Sequence, residues 1–190
     1  MVLDAVARPL SGHSLEVRAR AAGDVVVVVP DGTRSARIPD ILPALSQALT
    51  DWGIAPGRQT VVVACGTHPP VPREALGFIV GALHPSVTVV QHDARDLSAL
   101  VVAGEVRGGG VIRLLREVME ADLLVTIGAV RHHYFAGFGG GPKMVFPGVA
   151  GYEEIQANHA KVFDFSATGA TRRPECEPGR LEGNPVAEEI

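Results

Sequence analysis

The sequence predicts an α/β fold in which a mostly parallel, Rossmann-like sheet carries helices on both faces. Strand-length apolar runs, such as VVVVV at 25–29 and VVVAC at 61–65, alternate with segments whose apolar residues have helical spacing. Strands that alternate with helices favour parallel pairing, because each helix returns the chain to the same edge of the sheet. Apolar residues make up 46% of the 190-residue chain and charged residues 20%, which is typical of a globular domain.

The first half of the chain predicts four elements. SLEVRARA at 14–21 and DVVVVVP at 24–30 predict an opening pair of strands, the second continuous enough to be buried on both faces. PDILPALSQALTDWG at 39–53 has helical spacing and stops at a glycine, which predicts a helix. QTVVVACGTH at 59–68 predicts the next strand.

The second half continues the alternation. PREALGFIVGAL at 72–83 predicts a helix opened by proline, and VTVVQHD at 87–93 predicts a strand. GGGVIRLLREVMEADLLVTIGAV at 108–130 predicts a helix or partial helix and then a strand at 123–127. Near the end, Asn184 is predicted to cap a helix whose first residue is Pro185. Since domains rarely end so soon after a helix begins, we expect an N-terminal catalytic and cofactor-binding domain at 1–183, and at 184–190 a helix leading to an absent C-terminal domain.

Composition narrows the functional classes. A net charge of -4 argues against a nucleic-acid partner, because phosphate binding needs a basic surface. The apolar runs are far shorter than a membrane span, and the N-terminus carries acidic and polar residues where a signal peptide needs an apolar core. Cys65 and Cys176 do not suggest a disulfide framework. These observations predict a cytoplasmic protein with no membrane partner.

Polar side chains follow three of the predicted strands at the point where each strand ends. They are Asp31, Thr33 and Arg34 after the first buried strand, Thr67 and His68 after the second, and His132 and His133 after a later one. Ligands of open parallel sheets bind beyond the carboxyl ends of the strands, so we expect one shared cleft. Ordinary turn residues would account for Asp31 and Thr33, but less well for Arg34, His68 and His133 together.

The segment RHHYFAGFGGGPKMVFPG at 131–148 combines glycines with a lysine in a chain that has two lysines and fifteen arginines. It is not a P-loop, because Pro142 precedes Lys143 and Met144 follows it, and the glycine spacing does not fit a dinucleotide fingerprint. Successive backbone N–H groups of a glycine-rich turn still form a concavity suited to phosphate. A lysine amine, unlike a guanidinium, can become a nucleophile.

Common metal signatures are absent from the sequence, which has no C-x-x-C and no H-E-x-x-H motif. Taken alone, His159 in the helical-looking YEEIQANHAKVF is an ordinary surface or core residue, and the same holds for His13, His84 and His92.

Three motifs together resemble the N-terminal domain of the nickel-pincer lactate racemase family. They are DGTR at 31–34, GTHPP at 66–70 and, most specifically, HYFAGFGGGPKMVFPGVAGYEEIQANH at 133–159. The likeness runs from about residue 25 to the end of the chain. It implies a cofactor, the nickel-pincer nucleotide (pyridinium-3,5-bisthiocarboxylic acid mononucleotide with Ni(II)), that is joined to a lysine through a thioamide.

The resemblance also implies a role for individual residues. It makes Lys143 the covalent anchor, His159 the nickel ligand, His68 and His133 the general acid/base pair, Arg34 and Asp31 the substrate-binding residues, and Thr33, Gly139, Gly140 and Gly141 cofactor-binding residues. Gly139 stands where the family has a serine, and Pro142 stands where other small or polar residues are common.

The implied function is that of an isomerase, a racemase or epimerase of lactate or another small 2-hydroxy acid. Taking the α-hydrogen as hydride needs an electron sink, and a base on each face of the substrate must remove the hydroxyl proton. The implied partners are the 2-hydroxy acid, the cofactor-building enzymes and the missing C-terminal domain, without which we expect the domain to be inactive. A non-catalytic nucleotide-binding module with a glycine-rich phosphate loop is the alternative, and a purely structural domain has little support.

Overall fold

The computed structural model describes residues 2–34, 36–106 and 110–190. Their strands are β1 (Val25–Pro30), β2 (Gln59–Ala64), β3 (Thr88–Gln91), β4 (Leu100–Glu105), β5 (Val111–Leu115), β6 (Leu124–Thr126), β7 (His132–His133), β8 (Gly137–Phe138), β9 (Phe163–Ser166) and β10 (Gly169–Arg172). Their α-helices are α1 (Val2–Ala7), α2 (Leu15–Ala21), α3 (Ile38–Asp51), α4 (Leu76–Val80), α5 (Arg116–Glu120), α6 (Tyr152–Ala160) and α7 (Pro185–Glu189).

The central sheet has the order β3-β2-β1-β6, and every pairing in it is parallel. Strand β1 lies between β2 and β6, with Val27 opposite both Val61 and Val125. Three small antiparallel pairs, β4–β5, β7–β8 and β9–β10, stand apart from this sheet. The predicted α/β class with a mostly parallel sheet is confirmed.

Both faces of the sheet are covered, which explains why β1 is a run of valines. Val25, Val27 and Val29 pack on one face in a core that includes Leu42 of α3. Val26 and Val28 pack on the other face in a core that includes Val118 of α5 and Met144. A strand buried on both faces has no position for an outward polar side chain, so its sequence is continuously apolar.

The predicted strand at 14–21 is wrong, because the segment forms helix α2. Ser14 caps the helix by accepting a hydrogen bond from the Val17 N–H at 3.4 Å. Glu16 and Arg20 form an i,i+4 ion pair at 2.8 Å, and Ala19 is the buried residue that faces the core. Local capping and helical pairing therefore outweigh the strand pattern.

The segment after residue 107 also differs in part from its prediction. Residues 111–115 form strand β5, which pairs antiparallel with β4, and only Arg116–Glu120 are helical. The first two glycines of the predicted helix, at 108 and 109, lie outside the described residues. The predicted helix at 72–83 contains the 3₁₀ turn Arg73–Ala75 followed by α4.

The predicted cap of the last helix is confirmed. The Asn184 side chain accepts hydrogen bonds from Val186 N at 3.1 Å and Ala187 N at 3.3 Å, and Pro185 is the first helical residue. Cys65 and Cys176 are free thiols, and both are buried. Among the helices that the structure describes, none has the length and apolar character needed to cross a membrane.

Acid is expected to destabilise the protein through His92, which directly follows β3. The ring is fully buried, and neither nitrogen has a hydrogen-bond partner among the described residues. Burial lowers the pKa of His92 from 6.5 to about 4. At pH values between 6.5 and 4 the His92 side chain is protonated in the unfolded chain but neutral in the folded protein. The free energy of unfolding therefore falls as the pH drops through this range.

We expect His92 to contribute a loss on the order of 2 kcal/mol between pH 7 and pH 5, measured by denaturant unfolding at both values. A His92→Leu variant, which does not titrate there, is expected to show a smaller difference between the two pH values. An unchanged difference would assign the acid sensitivity to other groups.

Candidate active site

A cleft of about 280 Å³ lies at the carboxyl ends of β1 and β2. The structure brings most of the residues singled out in the sequence to its walls: Asp31, Arg34, Thr67, His68, His133, Gly139, Gly140, Lys143 and His159. Thr33 and His132 line an adjacent depression, which also touches Arg34 and the glycine run. Gly141 lies elsewhere, in an apolar groove with Phe138 and Leu181.

Asp31 and His68, which follow β1 and β2, form a hydrogen-bonded pair in the cleft. The Asp31 Oδ2 and His68 Nδ1 atoms are 2.7 Å apart, and Asp31 is buried whereas half of the His68 side chain is exposed. The other carboxylate oxygen, Oδ1, accepts a hydrogen bond from the Thr33 hydroxyl at 2.7 Å. The carboxylate thus favours a proton on His68 Nδ1, which leaves the Nε2 lone pair available to accept a proton.

Both oxygens of Asp31 are engaged within the protein. The resemblance implies that Asp31 binds the substrate, but this geometry favours a role in orienting His68. Thr33 then holds the carboxylate in place.

His133 has the opposite hydrogen-bond state. Its strand, β7, pairs with β8 so that His133 stands opposite Gly137, and the turn between them aims backbone N–H groups at the ring. His133 Nδ1 accepts hydrogen bonds from Ala136 N at 3.2 Å and Phe135 N at 3.5 Å. A neutral ring that accepts at Nδ1 carries its proton on Nε2 and is a donor there.

Electrostatics reinforce the neutral state of His133. Burial, followed by the positive charges of Lys143 and Arg34 and a smaller contribution from His159, lowers the pKa of His133 from 6.5 to about 4. The two rings thus differ in their hydrogen-bond partners: His68 Nδ1 lies against the Asp31 carboxylate, and His133 Nδ1 accepts from backbone N–H groups.

Phe135 lies beside His133, His159 and Lys143, although it was not among the residues selected from the sequence. Its buried ring lies edge-on to His133, with 4.6 Å between ring centroids, and edge-on to His159 at 5.1 Å. The Lys143 Nζ lies 5.5 Å from the centroid of the same ring. Its place in the quoted motif, between His133 and the glycine run, was the signal that could have identified it.

Lys143 belongs to the 3₁₀ turn Gly141–Met144 and is 9% exposed. No carboxylate of the described part of the chain forms an ion pair with it. Burial, and then the charge of Arg34, lowers the pKa of Lys143 from 10.5 to about 8. A buried amine with this pKa is partly neutral at physiological pH, which makes it a nucleophile.

His159 lies near the end of α6, and its position is fixed by its neighbour. Asn158 is fully buried and donates hydrogen bonds to Val186 O at 3.3 Å and Glu189 Oε2 at 2.6 Å, which ties α6 to α7. Burial, and then the charge of Lys143, lowers the pKa of His159. A neutral imidazole can bind a metal ion.

Cys65 is another cleft residue that the sequence analysis did not assign to the site. Burial, and then the charge of Asp31, raises the pKa of Cys65 to about 11. The thiol is therefore neutral and packs as a small apolar side chain.

The glycine loop needs glycine at particular positions, and Gly140 is one of them. Its φ is +77° and its ψ is -169°, a region open essentially only to glycine. A Cβ there would lie 2.8 Å from the Ala129 carbonyl oxygen. The loop thus approaches the chain that precedes β7 too closely for a side chain.

Gly140→Ala is expected to lower the free energy of unfolding by about 3 kcal/mol, because backbone strain and a clash with backbone add together. Gly141→Ala is the matched control. Its φ of +54° lies in the left-handed region, but a Cβ would have nothing within 4 Å, so we expect a cost of about 1 kcal/mol. Denaturant unfolding compares the two variants, and equal costs would show that the close approach to Ala129 is not limiting.

The fold and the cleft together define a Rossmann-like α/β domain with a cleft, lined by Arg34, Lys143 and three histidines, at the carboxyl ends of its parallel strands. The family model described as the lactate racemase N-terminal domain matches residues 1–170. The chain therefore belongs to the lactate racemase N-terminal domain family.

Two curated lactate racemases and one solved lactate racemase structure agree with the family model. A lactate racemase from Lactiplantibacillus plantarum is 33% identical over 96% of this chain and 41% of its own length. The lactate racemase apoprotein structure from Thermoanaerobacterium thermosaccharolyticum has a TM-score of 0.87 at 28% identity, covering 99% of this chain and 43% of that one. A 3-deoxy-manno-octulosonate cytidylyltransferase from Anaeromyxobacter dehalogenans is 26% identical over 98% of this chain and 75% of its own length. The chain spans about two fifths of the length of the lactate racemases it matches.

Proposed function

We propose that this chain is the cofactor-binding and acid–base part of a 2-hydroxy-acid racemase or epimerase, which uses a nickel-pincer nucleotide attached to Lys143. The observation that carries the proposal is that two histidines with different hydrogen-bond partners, His68 on Asp31 and His133 on the Ala136 backbone N–H, line the same cleft as Lys143. Lactate is the default substrate because two of the curated relatives are lactate racemases.

The residues of the cleft fit this cofactor. Lys143 supplies an amine that pairs with no carboxylate of the described residues, and His159 supplies a neutral imidazole in the same cleft. Within the described ranges, no three His, Cys, Asp or Glu side chains come together to hold a metal ion. A nickel ion held here would need most of its ligands from the cofactor, as a pincer provides. When bound, this group would supply the electron sink that accepts the α-hydrogen as hydride.

The side chains of the chain itself handle the substrate and its proton. Arg34, whose guanidinium carries a fixed charge, binds the substrate carboxylate. His68 accepts the hydroxyl proton at Nε2, and Asp31 stabilises the imidazolium that results. His133 presents its Nε2–H to the reacting oxygen of the substrate, and it acts as the general acid after it takes up a proton, because a neutral ring that lost its Nε2 proton would be left as an imidazolate. Reversal of these two roles gives the opposite enantiomer.

A non-catalytic nucleotide-binding module would use the glycine loop but would have no need of both histidines at its edge. The cytidylyltransferase name of one relative adds a further activity to test. Binding of CTP by the chain, without any cofactor adduct, would favour a nucleotide-binding function over the proposed racemase.

We further propose that a C-terminal domain, present in the longer relatives, completes the cleft. The decisive test makes the full-length protein together with the cofactor-building enzymes and measures intact mass and nickel content. We expect a covalent adduct with nickel in the wild type. His159→Ala is expected to keep the organic adduct, because Lys143 remains, but to lose nickel on dialysis. A wild-type protein without an adduct would refute the proposed function.

A further inference from the structure

We propose that Lys143 of the cofactor-free protein is a carbonyl-reactive amine that selects small anionic aldehydes and 2-oxo acids and forms a reversible imine with them. This is a covalent modification of the unloaded protein, distinct from racemisation. It rests on the geometry of the cleft and holds whether or not a nickel-pincer nucleotide is the natural cofactor.

The two lysines of the chain have contrasting surroundings. The Lys143 amine lines the cleft, 5.5 Å from the Phe135 ring centroid, and no described carboxylate pairs with it. The Lys161 amine lies 2.7 Å from Glu189 Oε1. An ammonium held in an ion pair offers no lone pair to an electrophile, whereas a buried amine with no carboxylate partner among the described residues can lose its proton and offer one.

The electrostatic surroundings of Lys143 act in the same direction. Burial, and then the nearby Arg34 charge, lowers its pKa to about 8, so a substantial fraction of the amine is neutral at pH 7.5.

We expect the cleft to select anions through Arg34, which lines it. Asp31, the one acidic residue among the described residues that line the cleft, keeps its charge, but both of its carboxylate oxygens are already hydrogen-bonded, to His68 and Thr33. A carbonyl compound that carries a carboxylate can therefore pair with Arg34 while its carbonyl carbon meets the amine. The volume of about 280 Å³ suits a molecule of a few heavy atoms.

The chemistry is a balanced condensation. The Lys143 nitrogen lone pair attacks the carbonyl carbon, the carbonyl oxygen leaves as water, and a C=N bond replaces the C=O bond. No oxidant or reductant takes part, and hydrolysis restores the free amine. A 2-oxo acid bound in this way blocks the amine reversibly until the block is hydrolysed.

The experiment treats the 190-residue chain, made without cofactor-building enzymes, with glyoxylate and sodium cyanoborohydride at pH 7.5. Cyanoborohydride delivers hydride to the imine and fixes it as a secondary amine, which peptide mass mapping locates. Lys161 and the N-terminal amine are internal controls. Lys143→Arg and Lys161→Arg are matched variants, and propionaldehyde is the neutral comparison for glyoxylate.

We expect glyoxylate to label Lys143 faster than Lys161 by on the order of tenfold or more, and Lys143→Arg to remove that label while Lys161→Arg leaves it. Arg34→Gln is expected to lower the ratio of glyoxylate to propionaldehyde labelling at Lys143. Equal labelling of the two lysines overturns the proposal. A propionaldehyde rate equal to that of glyoxylate overturns its anion selectivity. Neither result depends on cofactor loading, so a failure here is distinguishable from a failure of the proposed function.

Discussion

Lys143→Arg should give a folded full-length protein that carries no covalent cofactor and has no detectable racemase activity. Arginine keeps the positive charge and much of the length of the side chain, but its guanidinium stays protonated and does not act as a nucleophile. Intact mass, nickel content and racemisation of a 2-hydroxy acid measure the three consequences. Because both changes replace one cation by another, Lys161→Arg is the matched control and should retain all three properties.

Wild-type activity in Lys143→Arg would contradict the covalent role of this amine in the proposed function, whatever the fold. Loss of activity with an intact adduct would instead place the attachment elsewhere in the protein. Circular dichroism distinguishes both results from simple misfolding.

His68→Ala and His133→Ala should each retain cofactor and metal, while kcat falls by a factor on the order of a hundred or more, the usual scale for lost acid–base catalysis. The proposed reaction needs a proton acceptor on one side of the substrate and a donor on the other. Loss of either histidine therefore slows racemisation from both enantiomers. Racemisation from each enantiomer, with nickel and adduct mass measured on the same samples, checks this expectation.

His84→Ala is the control, because His84 is not among the residues that line the cleft. Asp31→Asn should lower kcat less than His68→Ala does, since it leaves the imidazole in place but weakens its charged partner. A histidine variant that lost its cofactor as well as its activity would indicate a role in binding instead of proton transfer.

The sequence predicted the sheet well because the periodic signal and the tertiary burial agree there. β1 is a continuous apolar run, β2 becomes one after Gln59 and Thr60, and both strands are buried on both faces apart from the half-buried Thr60. Helix α2 was missed because Leu15, Val17, Ala19 and Ala21 alternate as in a strand, while the deciding interactions, the Ser14 cap and the Glu16–Arg20 pair, are local and helical. Strand β5 was not predicted because its strand conformation depends on pairing with β4, and the sequence of residues 111–115 does not reveal that partner.

The shared cleft could be predicted because parallel strands end at one edge, and Asp31 and His68 follow adjacent strands. Their hydrogen bond could not be predicted, since it depends on rotamers set by Thr33 and by the turns after each strand. The buried contacts of Phe135 and the burial of Cys176 likewise depend on how β7, β8 and the C-terminal segment fold back on α6.

Asn184 restricts which amino acids can occupy its position, because its side chain makes hydrogen bonds at both ends. Its side-chain oxygen caps α7, and its amide nitrogen donates to the Phe135 carbonyl oxygen at 2.9 Å and to Arg180 O at 3.1 Å. Aspartate would cap the helix equally well but has no N–H to give to Phe135, and serine is too short to serve both ends. Residue 184 is therefore restricted to asparagine, because its side chain also supports the backbone of Phe135, whose ring lies beside the cleft histidines. We expect substitutions at this position to be tolerated less well than at an ordinary helix cap.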